Sequence, residues 1–247
     1  MSEYDYSLNP YSGCSFGCVY CYAAFFARKK EKMDNWGKWV EIKENALELL
    51  RRRRTKPLKG QTIYMSSVTD PYLPIEAKTR ITRDILEELS AYHNIKLVVQ
   101  TRSPLVLRDI DLFKKIGAVQ VNMTITTDEE NVRKVFEPYC YPNAKRLEAI
   151  KTLHDAGVKS CITLTPLLPL GNISQFGKEL LSTGVEHFII QPFHKKKGKF
   201  VAGTRKSALE IFDKYQWTDE RYDEAEKTLR EMLPSLKHGK DGFAPPF

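Results

Sequence analysis

The sequence predicts a parallel α/β fold on three observations. Short β-rich runs recur about six times, amphipathic stretches fall between them, and Gly117, Gly157 and Gly184 stand where three of those stretches should end. Strand followed by helix, repeated in this way, requires parallel strands joined by right-handed crossovers, in an open sheet or a barrel. The chain has 247 residues. A full eight-unit barrel usually needs about 250 residues for its repeats alone, which leaves room here for six units and a tail.

In chain order, a first strand is expected near 5–8, then a cysteine-rich loop, a helix at 44–53 and a second strand at 62–66. Helices at 82–92, 110–116, 144–156 and 174–182 then alternate with strands at 96–101, 119–125, 159–164 and 187–191, each strand rich in β-branched and apolar residues. The tail from Arg205 reads as two helices, 206–215 and 219–233, the second with Thr218 at its N-cap. The expected organisation is therefore a core over 1–204 and a helical extension over 205–247 packed on it. The final run, 242–247, is expected to lie across the barrel. Active groups in such a fold sit at the carboxyl ends of the strands.

Hydrophobic residues make up 42% of the chain, as in an ordinary globular protein. The first residues hold no apolar signal core and no run of about 18 apolar residues occurs, so a cytoplasmic monomer with no membrane partner is expected. Net charge is +8, with cations bunched at 28–32, 51–54 and 195–199. Beside Phe25, Phe26, Trp36, Trp39, Phe193 and Phe200, these runs suit a surface that attracts a phosphate backbone and stacks bases. They equally describe a solvated basic surface.

Cys14, Cys18 and Cys21 are spaced C-x3-C-x2-C. Three thiolates on one loop can hold an iron–sulfur cluster and leave one iron open for another ligand. Zinc would ordinarily draw on a second cysteine pair, and Cys140 and Cys161 stand alone far downstream. Disulfides across loops this short strain the bond geometry. Gly13 and Gly17 let the backbone turn tightly around an inorganic core, and Phe16, Tyr20 and Tyr22 can shield it.

This motif, with Tyr20 before the third cysteine, resembles that of the radical S-adenosylmethionine (SAM) superfamily. The resemblance implies a 4Fe-4S cluster on Cys14, Cys18 and Cys21, and SAM chelated to the open iron. Reductive cleavage then gives a 5'-deoxyadenosyl radical, fed by an electron donor such as flavodoxin or ferredoxin. The segments Asn9-Pro-Tyr-Ser-Gly-Cys14, Ser66-Ser-Val-Thr-Asp-Pro71, Thr101-Arg-Ser-Pro104, Thr124-Ile-Thr-Thr-Asp128 and the terminal Gly-Phe-x-Pro-Pro look like the spore photoproduct lyase-related, DNA repair photolyase-like branch. That branch implies an α/β fold of a particular kind, a partial (β/α)6 TIM-type barrel with a C-terminal helical tail, and nucleic acid as substrate. A small metabolite or peptide substrate, or an electron-transfer protein without SAM chemistry, are the alternatives.

By the same resemblance Ser66, Ser67 and Thr69 meet the SAM amino group, Arg102 its carboxylate, and Thr124 and Thr126 its ribose or amino-acid portion, with Tyr20 beside it. Asp70 and Glu137 are candidate anchors or proton acceptors. A guanidinium forks onto a carboxylate with two hydrogen bonds, which suits Arg102. Arg102 could also be a helix-start residue, and threonine is common in strands. In the lyase a cysteine donates hydrogen from the position that Ser67 holds here, and an alkyl O–H bond is much stronger than S–H. Cys140, between Tyr139 and Tyr141, is the substitute donor in the sequence, with a buried spectator thiol as the plain alternative. Cys161 reads as core.

Overall fold

The computed structural model describes residues 3–195 and 204–247. Nine strands form: β1 (Tyr6–Leu8), β2 (Tyr11–Gly13), β3 (Val40–Ile42), β4 (Lys59–Met65), β5 (Asn94–Thr101), β6 (Val119–Thr124), β7 (Lys159–Leu164), β8 (His187–Ile190) and β9 (Ser235–His238). Seven of them make one sheet in the order β1-β4-β5-β6-β7-β8-β9, every neighbouring pair parallel. The strands β2 and β3 pair antiparallel beside it and carry the cysteine loop between them.

The centre of the sheet is buried on both faces, and the sequence of β6 shows why. Val119, Val121 and Met123 join the hydrophobic core under the helices, whereas Gln120, Asn122 and Thr124 alternate onto the other face. In register with them, Gln100 of β5 donates to Thr124 at 2.7 Å and to Thr163 of β7 at 3.1 Å, while accepting from Tyr64 of β4 at 3.0 Å. The concave side is thus polar but bonded to itself.

The six expected strands are present, and the sheet holds a seventh. β9 comes from the tail that the sequence presents as purely helical, and it pairs with β8 from Ser235 opposite His187 to His238 opposite Ile190. Four residues with Leu236 as the only buried one give too weak a pattern to read in advance. The tail helices run Lys206–Asp213 and Asp219–Met232, and Thr218 accepts from the Arg221 N–H as the N-cap. The sheet therefore crosses the expected boundary at 204/205. The last residues lie across its concave face: a Cβ on Gly242 would fall 2.6 Å from Ile189, and Lys159 donates to the Pro246 carbonyl at 2.6 Å. No helix among the described residues is long and apolar enough to cross a membrane.

Candidate active site at the cysteine loop

The carboxyl ends of β4, β5, β6, β7 and β8 and the cysteine loop enclose a cavity of about 490 Å³. Cys14, Cys18 and Cys21 all line it, with Tyr20, Ser66, Ser67, Thr69, Asp70, Arg102 and Thr124. Residues scattered over 110 positions of sequence converge because parallel strands present all their carboxyl ends on one side.

The loop is tied down from several directions. The Val19 N–H donates to the Phe136 carbonyl at 2.9 Å, and Thr69 Oγ1 donates to the Gly13 carbonyl at 2.6 Å. Arg205, from the C-terminal extension, donates to the carbonyls of Val19 at 3.0 Å and Cys18 at 3.2 Å. Gly13 turns with φ 78°, and a Cβ there would strike Trp39 at 2.6 Å, so only glycine fits. Burial pushes the Cys14 thiol up and takes Cys21 to about 11. Cys18 moves down instead, first because the Cys140 thiol bonds to it at 3.7 Å and then because Arg102 is near.

Arg102 forms the opposite wall. Its backbone N–H donates to Asp70 Oδ2 at 2.8 Å, and its guanidinium reaches the Tyr20 hydroxyl at 3.2 Å and Glu137 at 3.5 Å. Glu137 is wholly buried, accepts from Tyr20 and Thr126, and pairs with the equally buried Arg146 at 2.7 Å. Burial alone would raise its carboxyl; the Arg146 and Arg102 charges override that and hold it at about 2. Asp70 is occupied by Tyr72 N–H, Thr101 Oγ1 and Arg102 N–H, which makes it a brace for Arg102. Ser67 bonds Ser7 and Asn9 and takes the Tyr22 hydroxyl on its carbonyl. Ser66 is different. It sits at φ 75°, in the left-handed region that costs serine about 1 kcal/mol, and its buried Oγ has no hydrogen-bond partner among the described residues.

Cys140, Tyr139, Tyr141 and Thr126 do not line the cavity. Cys140 lies buried behind Cys18, Tyr139 is 61% exposed on the outside, Tyr141 packs on Phe16, and Thr126 bonds Glu137. Cys161 is buried as expected, but on the concave face near Lys159 and Lys237 rather than in the core under the helices. Sequence reasoning gave no role to Asn9, although it stands in the Asn9–Cys14 motif, nor to Arg146 or Arg205; their partners lie 58, 22 and 187 positions away. No local pattern tells what such residues bond to.

The basic runs fare unevenly. At the amino end of β4, Arg54 forks onto Glu88 at 2.7 and 2.6 Å and stacks on Tyr92, Arg52 pairs with Glu48, and Arg53 covers Tyr6. That patch is internally paired and lies at the end of the sheet away from the cavity. Lys195 pairs with Asp219 at 2.6 Å, while 196–199 and Phe200 lie outside the described residues.

The three thiols ring one cavity, yet no three His, Cys, Asp or Glu side chains among the described residues meet closely enough to hold a single ion. An iron–sulfur cluster fits this spread, because each thiolate then binds a separate iron. The Arg102 guanidinium, which lines the cavity, fits the carboxylate of a zwitterionic ligand.

Fold and cavity together define an α/β protein of parallel strands with its candidate site at their carboxyl ends. The chain belongs to the radical SAM superfamily, whose family model matches residues 8–180. Members of that superfamily use a 4Fe-4S cluster and SAM. Over 164 residues the chain is 43% identical to the uncharacterized protein MJ0683 of Methanocaldococcus jannaschii, a match spanning 66% of this chain and 61% of that one. Spore photoproduct lyase, solved with bound AdoMet and dinucleoside spore photoproduct, aligns with TM-score 0.59 at 14% identity, over 94% of this chain and 75% of the other. The Streptococcus suis protein SuiB, solved with its precursor peptide SuiA, aligns with TM-score 0.57 at 13% identity, over 98% and 50%. Identities this low speak to the fold, a partial barrel, and not to the substrate.

Proposed function

We propose that Cys14, Cys18 and Cys21 hold the 4Fe-4S cluster, that the cavity beside them binds SAM, and that the substrate is nucleic acid. The observation that carries the cofactor reading is one cavity lined by all three cysteines together with Ser66 and Arg102. Held by these cysteines, the cluster would supply one electron and SAM the carbon-centred radical chemistry for hydrogen abstraction. Arg102 would hold the SAM carboxylate, and Ser66 its amine. Glu137, itself fixed by Arg146, would keep the Arg102 fork in place. Phe16, Tyr20 and Phe193 exclude water from the reacting atoms.

The rim supports the substrate class. Tyr22 and Phe26, 38% and 51% exposed, line the cavity together with Phe243 and Lys240 of the C-terminal segment. Exposed rings beside a cation suit a base stacked over its phosphate. No thiol other than the three proposed ligands lines the cavity among the described residues, and by the resemblance Ser67 stands where the lyase has its donor cysteine. The reading therefore favours hydrogen abstraction leading to modification over lyase-type repair through a cysteine. A reducing cytoplasm suits five cysteines that are all free.

Anaerobic incubation of reconstituted protein with SAM and dithionite, followed by mass spectrometry, should yield 5'-deoxyadenosine. Binding of a single-stranded oligonucleotide should weaken steeply with salt and with Lys240→Glu. Absence of 5'-deoxyadenosine and of any SAM effect on the cluster's electron paramagnetic resonance would sink the cofactor reading. A flat salt response would hand the substrate to a peptide or small metabolite.

A further inference from the structure

We propose that the surface over Gly17, Gly37 and Tyr139, with the basic segment 28–38 beside it, is the docking face for a small acidic one-electron carrier. The inference rests on the reading that the three cysteines hold a cluster.

On the face away from the cavity, two glycines and one ring cover the cysteine loop. Gly17 lies between Cys14 and Cys18 and its N–H donates to the Cys14 carbonyl at 3.4 Å. Gly17 and Gly37 meet backbone to backbone: a Cβ on Gly37 would stand 2.8 Å from the Gly17 Cα, and one on Gly17 3.0 Å from the Tyr139 ring. The Tyr139 ring, 61% exposed, packs over both. The next residue, Cys140, places its sulfur 3.7 Å from the sulfur of Cys18. Electron transfer weakens exponentially with distance, so a carrier gains most by docking where a single ring and two glycines intervene.

Charge names the carrier's chemistry. Residues 28–38 hold five cationic side chains against two carboxylates and end at Gly37 and Lys38. Arg28, Lys29, Lys30 and Lys38 are exposed, and no ion pair engages them among the described residues. This contrasts with the paired arginines at 51–54. Opposed surface charge steers encounter and speeds association, and an exposed aromatic at the centre of a patch is a usual anchor. In the step itself one electron leaves the reduced carrier and lowers the cluster by one charge; no bond forms or breaks.

The test uses the full chain with its cluster reconstituted and reduced flavodoxin as probe, following cluster bleaching by anaerobic stopped flow. The triple variant Arg28→Glu, Lys29→Glu, Lys30→Glu should be reduced about tenfold more slowly at low salt, and Lys38→Glu more slowly to a lesser degree. The salt dependence of the wild-type rate should flatten in both. Reduction by dithionite should stay unchanged. Wild-type rates with flavodoxin in both variants would overturn the proposal. So would loss of oligonucleotide binding with the flavodoxin rate intact, which would make the segment a nucleic-acid surface. A wild-type chain in which dithionite reduces no cluster breaks the underlying reading instead, and the dithionite arm reports that separately.

Discussion

Two buried carboxylates, Glu76 and Glu137, are both wholly inaccessible and both gripped by arginine, yet they serve different ends. Glu76 accepts from the Tyr11 hydroxyl, from the Thr82 N–H at 3.0 Å, the Arg83 N–H at 3.3 Å and Arg108 at 2.7 Å. Arg108 sends its remaining donors to Asp109 at 2.9 and 2.8 Å and to the Glu76 carbonyl at 3.2 Å. That network closes on itself and joins the helix Glu76–Thr79 to the turn before Ile110–Ile116. Glu137 is held on its inner side by Arg146, but its other arginine, Arg102, lines the cavity. The chemistry is the same in both. What separates a joint from a binding site is whether one guanidinium edge still faces open space.

The comparison can be broken most forcefully at Arg146. Replacing it with methionine leaves Glu137 buried with Arg102 alone, and urea unfolding should show a loss of about 3–5 kcal/mol, the usual consequence of stranding a buried charge. Arg108→Met should cost somewhat less, about 2–3 kcal/mol, because its side chain is 21% exposed. SAM affinity measured below the melting temperature should be unaffected by that change. An Arg108 variant that lost SAM binding would erase the distinction drawn above.

Arg102→Gln should do the reverse. SAM affinity by equilibrium dialysis should fall about tenfold or more, the value of a charge-assisted fork, with stability nearly kept. The pH dependence sharpens the same point. Glu137 is held at about 2, below the ordinary 4.5, so its stabilisation is complete above pH 4.5 and is lost as pH falls toward 2. The stability difference between wild type and Glu137→Gln should shrink across that window and stay flat at higher pH. Smallest of all, Thr218→Ala removes the N-cap of the helix Asp219–Met232 and should cost about 1 kcal/mol by thermal melting, with SAM affinity unchanged.

Much of the fold is legible because its signals are local. The alternation of β6 and the Thr218 cap can both be read within a dozen residues. The cysteine triplet is legible for the same reason. What escapes is long-range. Arg146 sits in a helix and reads as a surface cation until Glu137 and the Thr124 carbonyl are found on either side of it. The four arginines at 51–54 read as a nucleic-acid patch until Glu88, Glu48, Tyr92 and Tyr6 are seen to engage them. Charge is a property of sequence, but its neutralisation is a property of topology.

The Arg205 clamp on the carbonyls of Cys18 and Val19 means that the cysteine loop and the C-terminal helices are parts of one thermodynamic system. Whatever rigidifies the loop must also favour docking of the distant guanidinium, and mass action then carries that preference into the far end of the chain. Loading iron and sulfide should accordingly slow amide hydrogen exchange in Lys206–Asp213, a segment with no ligand of its own.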